Sequence, residues 1–463
     1  MNSIKELLLD AHYVPLFAGI SAFVLSTSFY LYPVIINVSR QKGLMDTPGN
    51  RKMHKDVTPT LGGLGVFIAF SLSIIFYGLL VELVYSDLIK LLALLGSSII
   101  LLFLGVKDDL VSMSPNKKLL GQLLAVLNVV VLTDVRILNF DGMLGLGELP
   151  YFLSILFTVF VFVLVINALN LVDGIDGLAG SISIISSLVF GILFFVNEYY
   201  LMTLISFILI GSILGFLRYN LSSKQKIFMG DCGSMLAGFL LAYQGVSLLA
   251  LNSNSSSSVL VSNAPVLLLA ILSYPLFDLL RVFSIRIKQG RSPFSADSNH
   301  IHHRLLRIGL DHKEATMMLS VLSILVIGCS FLASDLEIHL HLFITVMVGA
   351  SLYLIPFLKI FDKKASKFSV EKEINSVPGV LQNDVNGLSG ISSNSVVYSK
   401  RKGTMDKPAL NNVSKVVEDS ETVVKDKQGN NFGAMTGERL KKIEILKRKF
   451  ASKKSSDKEK VMD

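Results

Sequence analysis

The stretch Asn167-Ala168-Leu169-Asn170-Leu171-Val172-Asp173-Gly174-Ile175-Asp176-Gly177-Leu178-Ala179-Gly180 separates two apolar runs, Tyr151 to Ile166 and Leu178 to Val196. Its two amides and two carboxylates therefore lie where an apolar helix meets a membrane surface. Ionisable groups at a membrane edge are costly, and function is their default reading. The glycine after each aspartate permits a tight turn and the close approach of a ligand. A polar helix end with an Asx turn would account for one Asp-Gly. Four polar groups at three-residue spacing ask for more.

The surrounding chain of 463 residues is 51% hydrophobic and 17% charged. Its mean hydropathy of +0.59 is too high for a soluble protein of this size. Apolar runs recur at 14–38, 61–82, 88–106, 119–134, 150–167, 178–196, 199–217, 232–251, 262–284, 315–334 and 338–358. These lengths predict an all-α, polytopic integral membrane protein of about eleven transmembrane helices. The first run is too long for a signal h-region and no small-residue cleavage site follows it, so it reads as the first span. The two cysteines, Cys232 and Cys329, suggest neither a disulfide nor a metal site.

Loops after the odd-numbered spans carry 17 Lys/Arg, against three (Lys5, Lys90 and Arg136) on the opposite side. This bias predicts an external N-terminus and a cytoplasmic C-terminus. Residues 361–463 hold 21 Lys/Arg and 14 Asp/Glu, so most of the net charge of +8 belongs to the tail. An anionic inner-leaflet surface is the expected attraction, not nucleic acid. The expected organisation is a transmembrane domain, 1–360, bearing cytoplasmic active-site loops, and a basic, mostly disordered cytoplasmic tail, 361–463. Within the tail, Leu440, Ile443, Leu446 and Phe450 recur at helical spacing; a surface-lying amphipathic helix and a solvated segment are both compatible with that.

Five polar segments fall on the predicted cytoplasmic side. Asp46–Gly65 combines helix breakers with Arg51, Lys52, His54 and Lys55. Asp108-Asp109 ends the third span, followed by Lys117 and Lys118; adjacent carboxylates repel, so they need a cation or a shared proton. The opening stretch is the third. Lys226-Ile227-Phe228-Met229-Gly230-Asp231-Cys232-Gly233-Ser234 is the fourth, where Asp231 suits either an N-cap or a metal ligand beside an aromatic platform. The fifth is Ser298-Asn299-His300-Ile301-His302-His303-Arg304. Its histidine spacing differs from helical zinc pairs and no cysteine cluster accompanies it. It reads as a phosphate or sugar contact. The Asp and Asn oxygens suit a hard cation, Mg2+ or alternatively Mn2+. Carboxylates, basic groups and a Phe on one membrane face suit phosphoryl transfer from a nucleotide-activated donor to a lipid acceptor.

Thr58–Gly63 (TPTLGG), Asp108-Asp109, NALNLVDGIDGL, Phe228–Ser234 (FMGDCGS) and His300–Arg304 (HIHHR) together resemble the polyprenyl-phosphate N-acetylhexosamine-1-phosphate transferases, glycosyltransferase family 4 type. The likeness covers roughly residues 14–358 and leaves out the tail. It implies transfer of a sugar-1-phosphate from a UDP-N-acetylhexosamine to undecaprenyl phosphate, with release of UMP. It further implies Asn170 and Asp231 as Mg2+ ligands. Asp108 is then a base or orienting group for the lipid phosphate, with Asp109 in support. Asp173 and Asp176 serve the nucleotide, with Phe228 near the uracil. Lys118 contacts phosphate, and His300, His302, His303 and Arg304 line the sugar–phosphate side. Asp108, Asp109, Asp176, His302 and His303 are the catalytic candidates; Asp173, Phe228, His300, Arg304 and Lys118 are the substrate-binding ones. Ile301 splits the histidines, which favours UDP-GlcNAc and surface-glycan initiation in a bacterial inner membrane over phospho-MurNAc-pentapeptide transfer. Family members also tend to form homodimers. Two readings of other classes compete: an ion-coupled transporter, which predicts carboxylates near mid-bilayer and repeated halves, and a scaffold acting through the basic tail.

Overall fold

The computed structural model of the chain describes residues 13–46, 58–254, 261–292 and 299–358, together with four backbone strands in the tail. Arg51, Lys52, His54, Lys55 and the segment Gly437–Phe450 lie outside the described residues. The chain divides into two units, Met1–Ala365 and Ser366–Asp463. In the second unit, β3 (Val397–Arg401), β4 (Thr404–Met405), β5 (Thr422–Lys425) and β6 (Asn431–Met435) pair antiparallel in the order β4-β3-β5-β6.

The first unit is helical, as the apolar runs require. In order it contains α1 (Tyr13–Lys42), α2 (Gly62–Leu80), α3 (Tyr85–Leu110), α4 (Pro115–Thr133), α5 (Tyr151–Val172), α6 (Leu178–Val196), α7 (Tyr200–Asn220), α8 (Gly230–Asn254), α9 (Ala264–Ile271), α10 (Ser273–Lys288), α11 (Ile301–Arg307), α12 (His312–Leu332) and α13 (Ile338–Leu354). Among the described residues, ten helices are long and apolar enough to cross a membrane, and α9 with α10, bent by 77° at their junction, brings the count to eleven if the pair is taken as one span.

That bend is the one departure from the span pattern, which reads 262–284 as a single helix. Pro275 explains it: its ring clashes with the carbonyl four residues back, that of Ile271, and it cannot donate to it. The freed Ile271 carbonyl is satisfied by the Ser186 hydroxyl of α6 at 3.1 Å. A broken helix at membrane depth is tolerated where neighbouring side chains re-satisfy the backbone in this way.

At the centre runs α8, 89% of whose membrane window is buried. It packs against α2, α3, α5 and α6. Small residues permit this, because helices in lipid associate through close van der Waals approach more than through hydrophobic exclusion. A Cβ on Gly105 of α3 would overlap the Cys232 backbone, one on Gly63 of α2 would overlap Gly233, and one on Gly238 would strike the α5 backbone at Ile166. Both cysteines are free, Cys232 fully buried.

The TPTLGG segment clasps the start of α8. Its β2 (Thr58–Pro59) pairs antiparallel with β1 (Met45–Asp46). The Phe228 amide donates to the Pro59 carbonyl at 2.8 Å, and the Gly62 and Gly63 amides donate to Phe228 and Met229 carbonyls at 2.9 and 2.8 Å. This backbone ladder positions the segment that carries Phe228 and Asp231.

Candidate active site

One end of the bundle gathers the polar segments. The C-terminal end of α3 supplies Asp108 and Asp109. The N-terminal turn of α4 supplies Lys118, the last turn of α5 supplies Asn170, and the first turn of α8 supplies Asp231 and Ser234. The Lys118 ammonium lies 2.9 Å from Asp108 Oδ2 and 3.0 Å from Asp231 Oδ1. It also donates to Asn170 Oδ1 at 3.3 Å. The Asn170 amide nitrogen in turn donates to Asp231 Oδ1 and, at 2.8 Å, to Ser234 Oγ. Asp108 also accepts from the Met113 amide at 2.7 Å. Two carboxylates and a carboxamide thus surround one cation.

Asp109 has a different task from its neighbour. Its two oxygens accept the Asp231 and Cys232 amides at 2.8 and 3.2 Å. Those amides are among the orphan donors at the start of α8, so Asp109 caps that helix from a different helix. It acts on the centre by holding Asp231 in place. One turn below Asn170, Asn167 exchanges amide hydrogen bonds with Gln122 of α4, at 2.8 and 3.5 Å. That pair sets the register of α4 against α5, and with it the reach of Lys118 to Asn170.

The second half of the site is the Asp173–Gly177 turn. Gly177 closes it with φ +80°, the left-handed region that suits glycine. Asp176 Oδ2 accepts from Lys226 Nζ at 2.6 Å and pairs with His312 Nδ1 at 2.8 Å. The Thr316 hydroxyl donates to the Asp176 carbonyl at 2.8 Å, and the Gly177 amide donates to Asn220 Oδ1 at 2.7 Å. Lys226 also stands 5.2 Å from the Phe228 ring centroid, so this turn and the aromatic platform share a cation. Burial alone would raise the Asp176 carboxyl, but hydrogen bonds from His312 and Lys226, and their charges, hold it below the usual carboxylate range. Asp173, half-buried, moves the other way. Withdrawal from water pushes it well up, and the charges of Asp231, Asp109 and Asp176 add to the effect.

The histidines arrive from the third direction. His300 precedes α11, stacks on His302 at 5.4 Å and 10° between planes, and lies 5.9 Å from His303. His302 is buried, and neither ring nitrogen has a hydrogen-bond partner among the described residues. Burial pushes its pKa well down, helped by His303, His300 and His312, so it is a neutral ring. It abuts Gly174, where a Cβ would overlap His302 Nε2. The stack therefore rests on the Asp173–Gly177 turn. Arg304 ties α11 to the turn that follows α13: its Nε donates to the Pro356 carbonyl at 3.2 Å, and its guanidinium lies 5.8 Å from the Phe357 ring.

Most of the sequence-derived residues thus lie together, while Arg304 contacts Pro356 and Phe357, and the structure adds others. His312 is one; its only sequence signal was the capping box Asp311/Glu314, which fixes where α12 begins. Gln122, the partner of Asn167, is a second addition, and Asp278 of α10 is a third.

Among the described residues, no three His, Cys, Asp or Glu side chains form a ready metal cage. The oxygens of Asp108, Asp231 and Asn170 nonetheless suit Mg2+, which commonly takes one or two carboxylates and completes its shell with water and substrate phosphates. That they already surround an ammonium fits a site built for a hard cation.

A model of glycosyl transferase family 4 matches residues 91–249. A probable undecaprenyl-phosphate N-acetylglucosaminyl 1-phosphate transferase of Bacillus subtilis (strain 168) is 33% identical over 348 residues, covering 73% of this chain and 89% of the relative. The undecaprenyl-phosphate alpha-N-acetylglucosaminyl 1-phosphate transferase of Escherichia coli (strain K12) is 30% identical over 324 residues, 68% of this chain and 82% of the relative. A decaprenyl-phosphate N-acetylglucosaminephosphotransferase of Mycobacterium tuberculosis (strain CDC 1551 / Oshkosh) is 32% identical over 319 residues, 65% and 78% of the two chains.

Proposed function

The chain belongs to glycosyl transferase family 4, and we propose that it transfers GlcNAc-1-phosphate from UDP-GlcNAc to undecaprenyl phosphate or a related polyprenyl phosphate, releasing UMP. The observation that carries this reading is the convergence of four helices on the Lys118 ammonium and the oxygens of Asp108, Asp231 and Asn170. The relatives' names support N-acetylglucosamine as the sugar. The charge bias of the loops supports a cytoplasmic face for the site and an external N-terminus, and the bacterial relatives support a bacterial cell-membrane location.

In the reaction, an oxygen of the lipid phosphate forms a bond to the β-phosphorus of the donor. The bond from that phosphorus to the bridging oxygen breaks, and its electron pair leaves on UMP. Asp231 and Asn170 would hold Mg2+, which supplies charge neutralisation on the donor diphosphate when bound. Lys118 stands at the same centre to meet the anionic oxygens that approach. Lipid phosphate is largely ionised near neutral pH, its second pKa being about 6, so little proton removal is required of Asp108. Its part is to orient the nucleophile and Lys118. Asp176, held ionised by Lys226 and His312, anchors the donor turn and exchanges no proton. Phe228 offers a flat apolar face to the base, and the neutral His302 closes the turn from above.

The test is direct. Purified protein incubated with labelled UDP-GlcNAc, undecaprenyl phosphate and Mg2+ should yield labelled lipid and UMP, and EDTA should stop it. Folded protein that transfers nothing would sink the reading. A panel of UDP-sugars reads the preference for the hexosamine.

A further inference from the structure

Asp278 takes no part in the chemistry above, yet it is among the most deeply buried acids of the first unit, with 1% of its side chain exposed. It sits on α10, beyond the Pro275 break, in a span that the sequence pattern reads as apolar. A carboxylate buried this deeply is retained only with partners. All of its partners but one belong to the start of the histidine segment. Oδ2 pairs with His300 Nδ1 at 2.9 Å, and Oδ1 accepts the Ile301 amide at 3.0 Å. The remaining partner, Arg281, lies 3.6 Å from Oδ1 and itself donates to the Asn299 carbonyl. Residues 299, 300 and 301 are thus pinned by one helix turn of α10.

We propose that Asp278 is the positioning residue of the histidine stack: it fixes His300 as the Nδ1–H tautomer and, through it, sets His302 on the Asp173–Gly177 turn. The chemistry follows from the ring. A carboxylate accepts only, so His300 must present its proton at Nδ1, and Nε2 becomes the nitrogen left to serve a ligand. The geometry then passes from His300 to His302 by parallel stacking, and from His302 to Gly174 by direct packing. Gly174 lies between Asp173 and Asp176, so a shift of His300 is felt at the donor turn. The same logic governs histidines whose second nitrogen is held by a carboxylate at metal sites, where loss of the outer partner typically lowers affinity or activity about 10- to 100-fold. The effect on turnover rests on the transferase reading given above; the tautomer does not.

Two measurements on the full-length protein test this. The first is ring 15N NMR of histidine-labelled protein in detergent, with His300 assigned by the signal lost in His300→Gln. His300 should show a protonated Nδ1 in the parent and lose that signature in Asp278→Asn, whose amide donates where the carboxylate accepted. A parent His300 protonated at Nε2 overturns the proposal, whether or not the protein is active. The second is a double-mutant cycle on sugar-phosphate transfer. Asp278→Asn should lower kcat/KM about 10- to 100-fold, and Asp278→Glu should recover part of the loss. In a His300→Gln background, Asp278→Asn should add less than about two-fold. Full additivity would mean that Asp278 acts apart from His300. Should Asp278→Asn fail to fold, the parent spectrum and Asp278→Glu decide the matter. A parent protein with no transfer activity strikes the functional reading and leaves the NMR result to judge Asp278.

Discussion

The two ion-pair centres at this end of the bundle have opposite stoichiometry. Around Lys118, two carboxylates and a carboxamide share one ammonium. Around Asp176, two basic side chains, Lys226 and His312, share one carboxylate. The first has an excess of negative charge, and a cation relieves it. The second sets an ammonium and an imidazole against one carboxylate. Both are assembled from acidic and basic residues near helix ends, so residue type alone does not tell them apart. Their partner counts do: one centre gathers acceptors around a cation, the other gathers donors around a carboxylate.

Removing charge from the first centre should do the most damage. Asp231→Asn should lower kcat at least about 100-fold in the labelled-lipid assay, with expression and thermal midpoint retained. Near-normal turnover would end the assignment of Asp231 to the cation. Next in size is Gly174→Ala. The added Cβ overlaps His302 Nε2, so the stack must lift, and misplacement on the scale of an ångström costs about 100-fold. The expected loss in kcat/KM is about 10- to 100-fold, and unchanged kinetics would mean that His302 does not govern the turn.

Charge removal at the second centre should act mainly on binding. Asp176→Asn should raise KM for the UDP-sugar about ten-fold, with a smaller fall in kcat, because it loosens an anchor and touches no proton transfer. Since its carboxyl lies below the usual range, its stabilising contribution is present above the ordinary carboxylate pKa of about 3.9 and vanishes as pH falls through the lower folded value. It should therefore leave no limb in a rate profile between about pH 5 and pH 9. A KM-neutral, kcat-only effect would make Asp176 a participant in the chemistry. The smallest effect belongs to Asp173, whose carboxyl is pushed up by burial. Its charged form costs stability above the ordinary pKa, most fully above its raised folded value. Asp173→Asn, measured in EDTA, should raise the thermal midpoint at pH 8 by about 2 °C. The gain should shrink towards acid, and a gain that grows as pH falls would reverse the sign.

Much of the site was legible in the order of its motifs. Asp108, Asn170, Asp231 and Lys118 were each singled out by chemistry, and they meet within hydrogen-bond reach. Asp109 shares the dipeptide with Asp108, yet it caps α8. Nothing in the dipeptide distinguishes the two, because the partner amides lie more than 120 residues onward. His312 was marked only by the capping box that starts α12, since a lone histidine at a helix start has no periodic or spacing signal of its own. Asp278 and Arg281 did leave a trace: an acid and a base three apart in an apolar run ask for a functional reading by default. Pro275 likewise marked the break between α9 and α10, although the hydropathy of the run hides it.

What the sequence by itself determined was the membrane class, the crossings and the identity of the polar segments. Hydropathy over some 20 residues and turn chemistry over four or five are local properties, and backbone hydrogen bonding in lipid enforces them. The tertiary structure alone decided which oxygens share Lys118, which aspartate is a cap, and which histidine a buried carboxylate holds. Those depend on side chains separated by 10 to 136 residues meeting where helices approach closely enough for glycines to touch backbone, and packing settles such distances only when the whole bundle is assembled. The stretch Asn167–Gly180 carries both kinds of information: its turn is written locally, but its neighbours Lys118, Lys226, Asp231, His302 and His312 are chosen by the bundle.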